Sequence, residues 1–177
     1  ALRFVGINLD ITERKRAEEA QRAQLEYIET IYQTAPVGLC SLDSNFRYLR
    51  VNERLAAMNG RPVAEHIGRT VREIVPHLAD GTEAVCRQVI ATGQPVLNLE
   101  LEGVTEAQPG GRRAWVTHWM PLKQADGCVT GISVLAEEVT ERRQAAEALR
   151  EARDKLEARV QERTAKLQEA NRAWSAS

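Results

Sequence analysis

The chain has 177 residues, enough for one domain with appendages and too few for two full ones. Its 24 lysines and arginines nearly balance 25 aspartates and glutamates, for a formal charge of -1, so no global field draws it onto nucleic acid or an anionic membrane. No apolar run reaches the roughly 18 to 20 residues of a bilayer span, and no signal-peptide layout opens the sequence. Cys40, Cys86 and Cys128 are odd in number and widely spaced, which suits reduced thiols better than a disulfide framework. The expectation is a cytoplasmic chain with no nucleic-acid partner and no membrane contact.

In chain order, the first feature is an internal repeat. Val5-Gly6-Ile7 leads into Asp10-Ile11-Thr12-Glu13-Arg14-Lys15, and about 125 residues later Thr130-Gly131-Ile132 leads into Glu138-Val139-Thr140-Glu141-Arg142-Arg143. Each copy is a strand-like run that breaks into a charged, Ala-rich helix. Asp10 and Glu13 stand at the spacing of a carboxylate cap, whereas in the second copy the longer Glu138 caps less well and Thr140 takes over. Residues 1–11 therefore read as the C-terminal strand of a preceding unit, an edge that must pair or fray.

Residues 12–34 read as a linker helix. Gln21, Leu25, Ile28 and Tyr32 follow the alternating spacing of a helical seam, with Ala17, Gln24 and Ile31 beside it, and Ala35-Pro36 ends the run. A domain follows over 35–138. Strands at 37–42 and 46–51 flank the turn formers Asp43-Ser44-Asn45. Asn52 caps a short helix that stops near Gly60, Pro62 starts another that stops at Gly68, and a third piece covers 71–74. Asp80-Gly81-Thr82-Glu83 has capping-box spacing before a longer helix that Gly93 and Pro95 terminate. Three more strands are expected at 96–102, 112–121 and 129–138, separated by Pro109-Gly110-Gly111 and Asp126-Gly127. This order gives an α+β fold: a five-stranded antiparallel sheet with short helices on one face, flanked by signalling helices.

Residues 139–177 carry the C-terminal helix. Ala146, Arg153, Val160, Leu167 and Trp174 share one heptad position, and Leu149, Leu156, Arg163 and Ala170 the other. About 35 residues of helix extend about 50 Å, and such a helix alone is marginal. A parallel homodimeric coiled coil solves this, with Arg153 and Arg163 lowering its stability; a helix folded back on the sheet is the alternative.

Thr34-Ala35-Pro36-Val37-Gly38, Asn52-Glu53-Arg54, Ile67-Gly68-Arg69-Thr70, the Trp115-to-Pro121 strand and the Glu138-Val139-Thr140-Glu141-Arg142 exit occur in the order found in the PAS sensor family, which this chain resembles from about residue 33 to 143. Asp10-Ile11-Thr12-Glu13-Arg14-Lys15 is similar to the same exit in tandem PAS proteins. The stretch from Leu156 to Asn171 resembles the linker that joins PAS domains to bacterial sensor histidine kinases; similar helices precede diguanylate cyclases.

The resemblance implies a sensory or relay domain that passes a signal through coiled-coil helices to a histidine kinase in the same chain. A ligand-free dimerisation spacer, or a domain feeding a diguanylate cyclase, is the alternative. The chain itself carries no carboxylate pair, activated nucleophile or phosphate-cradling loop, so no catalysis is expected of it.

Light-sensing members attach flavin through a Cys where this chain has Val71, in Gly68-Arg69-Thr70-Val71-Arg72, and haem-binding members use a His on the helix that here offers Cys86. A flavin photoadduct is excluded at that position, and non-covalent flavin and haem are disfavoured. His66, His77, His118 and the three cysteines form no pair at ligand spacing, so no metal is expected. By the two-residue period, Trp115, Thr117 and Trp119 share one strand face, and the resemblance turns that face inward, where two indoles, Thr117 as a hydrogen-bonding handle, and Cys86 frame a pocket. The same side chains can equally fill it. Val116, His118 and Met120 occupy the other face, expected to pack under a helix or a second protomer. The signalling residues expected are Glu138, Thr140, Ala146, Leu149, Leu156, Val160 and Leu167.

Overall fold

The structure is a computed structural model and describes residues 12–175. The strand expected around Val5-Gly6-Ile7, and the whole 1–11 remnant, lie outside the described residues, as do the side chains of Ala170 and Trp174. Helix α1 (Thr12–Thr34) leads into β1 (Gly38–Asp43) and β2 (Tyr48–Val51). Short helices α2 (Glu53–Asn59), α3 (Val63–His66) and α4 (Val71–Ile74), a 3₁₀ turn (Pro76–Leu78) and α5 (Ala79–Thr92) form the crossover. Strands β3 (Val96–Gly103), β4 (Arg113–Lys123) and β5 (Val129–Glu138) complete the sheet, and α6 (Thr140–Ser175) leaves it. The five strands are ordered β2-β1-β5-β4-β3, and every neighbouring pair is antiparallel. The expected α+β architecture is the one observed.

Local chemistry explains why the chain breaks where it does. Asn52 holds extended backbone and its side chain accepts from the Leu55 amide, starting α2, while Gly60 at φ 82° supplies the left-handed residue that ends it. Thr70 and Glu73 exchange side-chain and backbone hydrogen bonds in a complete capping box at α4. The box expected at Asp80 and Glu83 does not form. The 3₁₀ turn runs straight into α5, so the capping position falls on Leu78, which makes no side-chain cap. Both carboxylates turn instead to Arg72, which donates to Glu83 at 2.9 and 3.1 Å and to Asp80 at 2.6 Å.

The core lies between the sheet and the crossover helices. Leu42, Val71, Ile74, Val89 and Ile132 are almost completely buried, and Trp115 and Trp119 pack into the same cluster. On the opposite face of β4, Val116 and His118 are half-buried and Met120 is exposed. The alternative of α6 folded back on the sheet is ruled out, because every side chain from 141 to 168 is exposed.

Candidate functional site

A cavity of about 70 Å³ opens between the sheet and the helices. Strand β1 supplies Cys40, β2 Tyr48, β4 Trp115, Thr117 and Trp119, and β5 Val134 and Ala136, and the helices supply Asn59 and Thr82, among other lining residues. The period of β4 delivers the three expected residues together: Trp115 and Trp119 are buried on the cavity side, with Thr117 between them.

Two expectations need correction. Cys86 is fully buried but does not line the cavity; Thr82, one helical turn earlier on α5, takes the lining position, and Cys86 packs into the core behind it. Burial pushes the Cys86 thiol up to about 12, so it stays protonated. Thr117 is no free handle, because its hydroxyl donates to the Leu99 carbonyl at 2.9 Å and accepts from Trp119 Nε1 at 2.9 Å. Trp119 is held by that bond.

The expectation overlooked Cys40, Tyr48, Asn59, Thr82 and His66. Burial, then the neighbouring Cys86, raises the Cys40 thiol well above its ordinary range, and burial does the same to the Tyr48 phenol. His66 is fully buried behind the cavity wall, with its ring edge-on to Tyr48 at 5.3 Å between centroids. Its Nδ1 lies 3.0 Å from the Pro62 carbonyl and its Nε2 lies 3.1 Å from Asn59 Nδ2. A neutral ring with the proton on Nδ1 satisfies both contacts, donating to Pro62 and accepting from Asn59.

Burial lowers the His66 pKa, and the Pro62 bond opposes this only in part. Between the ordinary value of about 6.5 and the lower folded one, the unfolded chain binds more protons than the folded one. Stability is therefore expected to fall as pH drops below about 6.5. Urea midpoints at pH 7.5 and pH 5.5 check this, and His66→Gln is expected to shrink the difference; an equal loss in the variant would assign the effect to other groups. Glu73 and Glu106 have carboxyls below their usual range, through hydrogen bonds from Thr70 and Arg61 respectively, and act at lower pH.

The exit from the sheet is built of short polar contacts. Val139 N donates to the Ala114 carbonyl at 2.9 Å, and Ala114 N donates to Thr140 Oγ1 at 3.0 Å. Thr140 thus ties α6 to β4 rather than capping α6, because the strand amide is within reach of its hydroxyl. Glu138 turns to Arg113 at 3.1 Å, and Arg143 in the first turn of α6 reaches Glu102 at 2.9 Å and Glu100 at 3.4 Å on β3. Further along, Ala146, Leu149, Leu156, Val160 and Leu167 are all exposed. The structure places them far from the cavity residues in the fold, joined to them only through β4, β5 and this junction.

No group of three or more His, Cys, Asp or Glu side chains converges into a metal site among the described residues. No helix among them is long and apolar enough to cross a membrane.

The sequence profile of the PAS fold family matches residues 32–144, more than half of the chain. The chain belongs to the PAS fold family. No curated protein sequence matches it. Among solved structures, the PAS domain of BvgS from Bordetella pertussis is similar at TM-score 0.57 and 20% identity, over 75% of this chain and 98% of that one. The PAS domain of an HTR-like protein from Haloarcula marismortui is similar at TM-score 0.54 and 18% identity, over 70% and 98%. VqmA of Vibrio cholerae, in a ligand and DNA complex, is similar at TM-score 0.56 and 23% identity, over 66% of this chain. The chain spans little more than half the length of VqmA, 51 to 57%.

The VqmA complex overturns the expectation of a chain with no nucleic-acid partner. That expectation rested on the net charge, but a PAS fold occurs within a protein that binds DNA. The balance of charge over a whole sequence does not decide what a local surface or an adjoining segment contacts.

Proposed function

We propose that the chain is a cytoplasmic sensory or relay PAS domain that couples its interior cavity, through the exit of β5, to a dimeric coiled coil formed by α6. The observation that carries this reading is the continuity of the chain: β5 pairs with β4, the strand that holds Trp115, Thr117 and Trp119, and passes through Val139 directly into α6. A shift in the cavity wall would reach the helix through Ala114, Val139 and Thr140 without crossing a flexible loop. The output is read as a histidine kinase in the same chain, on the sequence of residues 156–171. The division into a linker helix at 12–34, a domain at 35–138 and a signalling helix at 139–177 belongs to the same reading.

Leu149, Leu156, Val160 and Leu167 are 55 to 72% exposed, a stripe that a second copy in parallel register would bury. The double variant Leu156→Glu with Val160→Glu places charges on both seam positions and is expected to turn dimer into monomer with little change in domain stability. Sedimentation equilibrium checks this, and a dimer that persists would sink the coiled coil. The small cavity favours a second reading, a ligand-free spacer whose interior is nearly filled by its own side chains.

A further inference from the structure

His66, Asn59 and Tyr48 form one line of polar side chains that ends at the cavity. His66 is fully buried on α3, Asn59 is buried at the end of α2, and Tyr48 is buried on β2. Asn59 and Tyr48 line the cavity, whereas His66 stands behind them and reaches it only through their contacts. The Pro62 carbonyl closes the line on the far side, 3.0 Å from His66 Nδ1.

The chemistry of that carbonyl fixes the direction of every bond in the line. A carbonyl oxygen can only accept, so His66 Nδ1 carries a proton whether the ring is neutral or charged. In the neutral ring Nε2 then has only a lone pair, and Asn59 must present Nδ2 to it, which is the 3.1 Å contact observed. Asn59 Oδ1 has no protein donor among the described residues. Every fully sealed side-chain nitrogen and oxygen among them has a partner, so Oδ1 is unsealed and opens on the cavity that Asn59 lines.

A second proton on the ring reverses the line. Nε2 becomes a donor that faces a donor inside a buried site, an arrangement that leaves both unpaired. A half-turn of the Asn59 amide about its last side-chain bond relieves this without any backbone movement, because that torsion is soft and roughly two-fold. Oδ1 then accepts from Nε2, and Nδ2 takes its place at the cavity. Tyr48 can follow, since a hydroxyl both donates and accepts. Burial raises the Tyr48 phenol pKa, and the Asn59 amide is near enough to oppose that rise.

We propose that His66 and Asn59 form a proton-operated switch in the cavity wall: with His66 neutral the wall presents the Asn59 amide oxygen, an acceptor, and with His66 charged it presents the amide NH2, a donor. This rests on the sensory reading for its purpose, since the switch sets the polarity of the cavity where that reading places the signal. Burial puts the transition below the ordinary value of about 6.5, and the Pro62 bond opposes burial. Of the charged groups, Arg61 in the turn before α3 disfavours the cation and Glu65 on α3 favours it. Glu106, from the loop after β3, pairs with Arg61, and β2 presents only the edge-on, neutral Tyr48 ring.

Nitrogen NMR of the whole chain from pH 7.5 to 4.5 tests the switch. At pH 7.5 the His66 ring is expected to carry its proton on Nδ1. As the ring takes up its second proton, the Asn59 side-chain amide and the Tyr48 ring resonances are expected to move with the same midpoint. Asn59→Asp places an acceptor-only carboxylate at Nε2 and is expected to raise the His66 midpoint by about one unit or more. If that variant fails to fold, the titration of the unaltered chain still decides. A neutral ring protonated on Nε2, Asn59 and Tyr48 resonances fixed through the His66 midpoint, unfolding before His66 is charged, or an unmoved midpoint in Asn59→Asp would each overturn the switch. Amide protection at residues 139–143 separates this failure from that of the sensory reading. Constant protection through a completed switch removes the coupling to α6 and keeps the switch; protection that changes with pH while Asn59 stays fixed removes the switch and keeps the coupling.

Discussion

Replacing Asn52 with alanine is expected to lower the stability of the domain by about 3–5 kcal/mol, because one fully buried side chain makes four hydrogen bonds in three directions. Its Oδ1 accepts from the Leu55 amide, capping α2, and from the Leu39 amide of β1, both at 2.9 Å. Its Nδ2 donates to the Tyr32 carbonyl in the last turn of α1 at 3.1 Å and to the Val37 carbonyl at 2.9 Å. Deleting the amide leaves two backbone donors and two backbone acceptors without their partner. Asn52→Ser separates the roles: serine caps helices well but is too short to span to both carbonyls, so it is expected to recover only about 1 kcal/mol. Urea unfolding of the three proteins measures this, and a loss below about 1 kcal/mol in the alanine variant would show that water replaces the amide.

The same residue shows why much of the fold was legible. The cap that Asn52 gives Leu55, the left-handed Gly60 and the Thr70–Glu73 box act within a few residues, and a sequence displays such contacts directly, whereas the bonds of Asn52 to Tyr32, Val37 and Leu39 span 13 to 20 residues and are not displayed. β5 was placed at 129–138 and a short helical piece at 71–74, and the structure has both. The Asp80 box was misread because its competitor, Arg72, lies eight residues upstream and beyond a 3₁₀ turn, outside any local pattern.

The site was legible only along one strand. Alternation on β4 places Trp115, Thr117 and Trp119 on one face, but which residues stand opposite depends on the order of strands and on helix phase. Cys40 enters because β1 pairs with β5, and Tyr48 because a register shift between Ser41 and Leu42 sets it against Leu42. The choice of Thr82 over Cys86 turns on a single helical turn of α5. His66 gave no signal in sequence, since its partners, Asn59 and Pro62, become recognisable only once α2 and α3 have folded.

Gly60→Ala is expected to cost about 3 kcal/mol or more and to loosen the loop that closes one side of the cavity. Two penalties combine there. The backbone sits at φ 82°, where a Cβ is strained, and that Cβ would overlap the Ala107 amide nitrogen and the neighbouring backbone. The loop cannot simply retreat, because Thr105 donates to the Met58 carbonyl at 2.7 Å and Glu106 pairs with Arg61 through two hydrogen bonds. Gly68→Ala is the matched control: its φ is 78°, but a Cβ there meets nothing within 4 Å. It is therefore expected to lose only the left-handed penalty, about 1–2 kcal/mol. The difference between the two variants measures the packing of the loop on α2, and amide exchange over residues 104–108 is expected to quicken only in Gly60→Ala. Equal losses would mean that the loop yields at no cost and does not hold Thr105 against the cavity; a larger loss at position 60, with faster exchange in the loop, would identify this contact as the one that keeps the cavity closed.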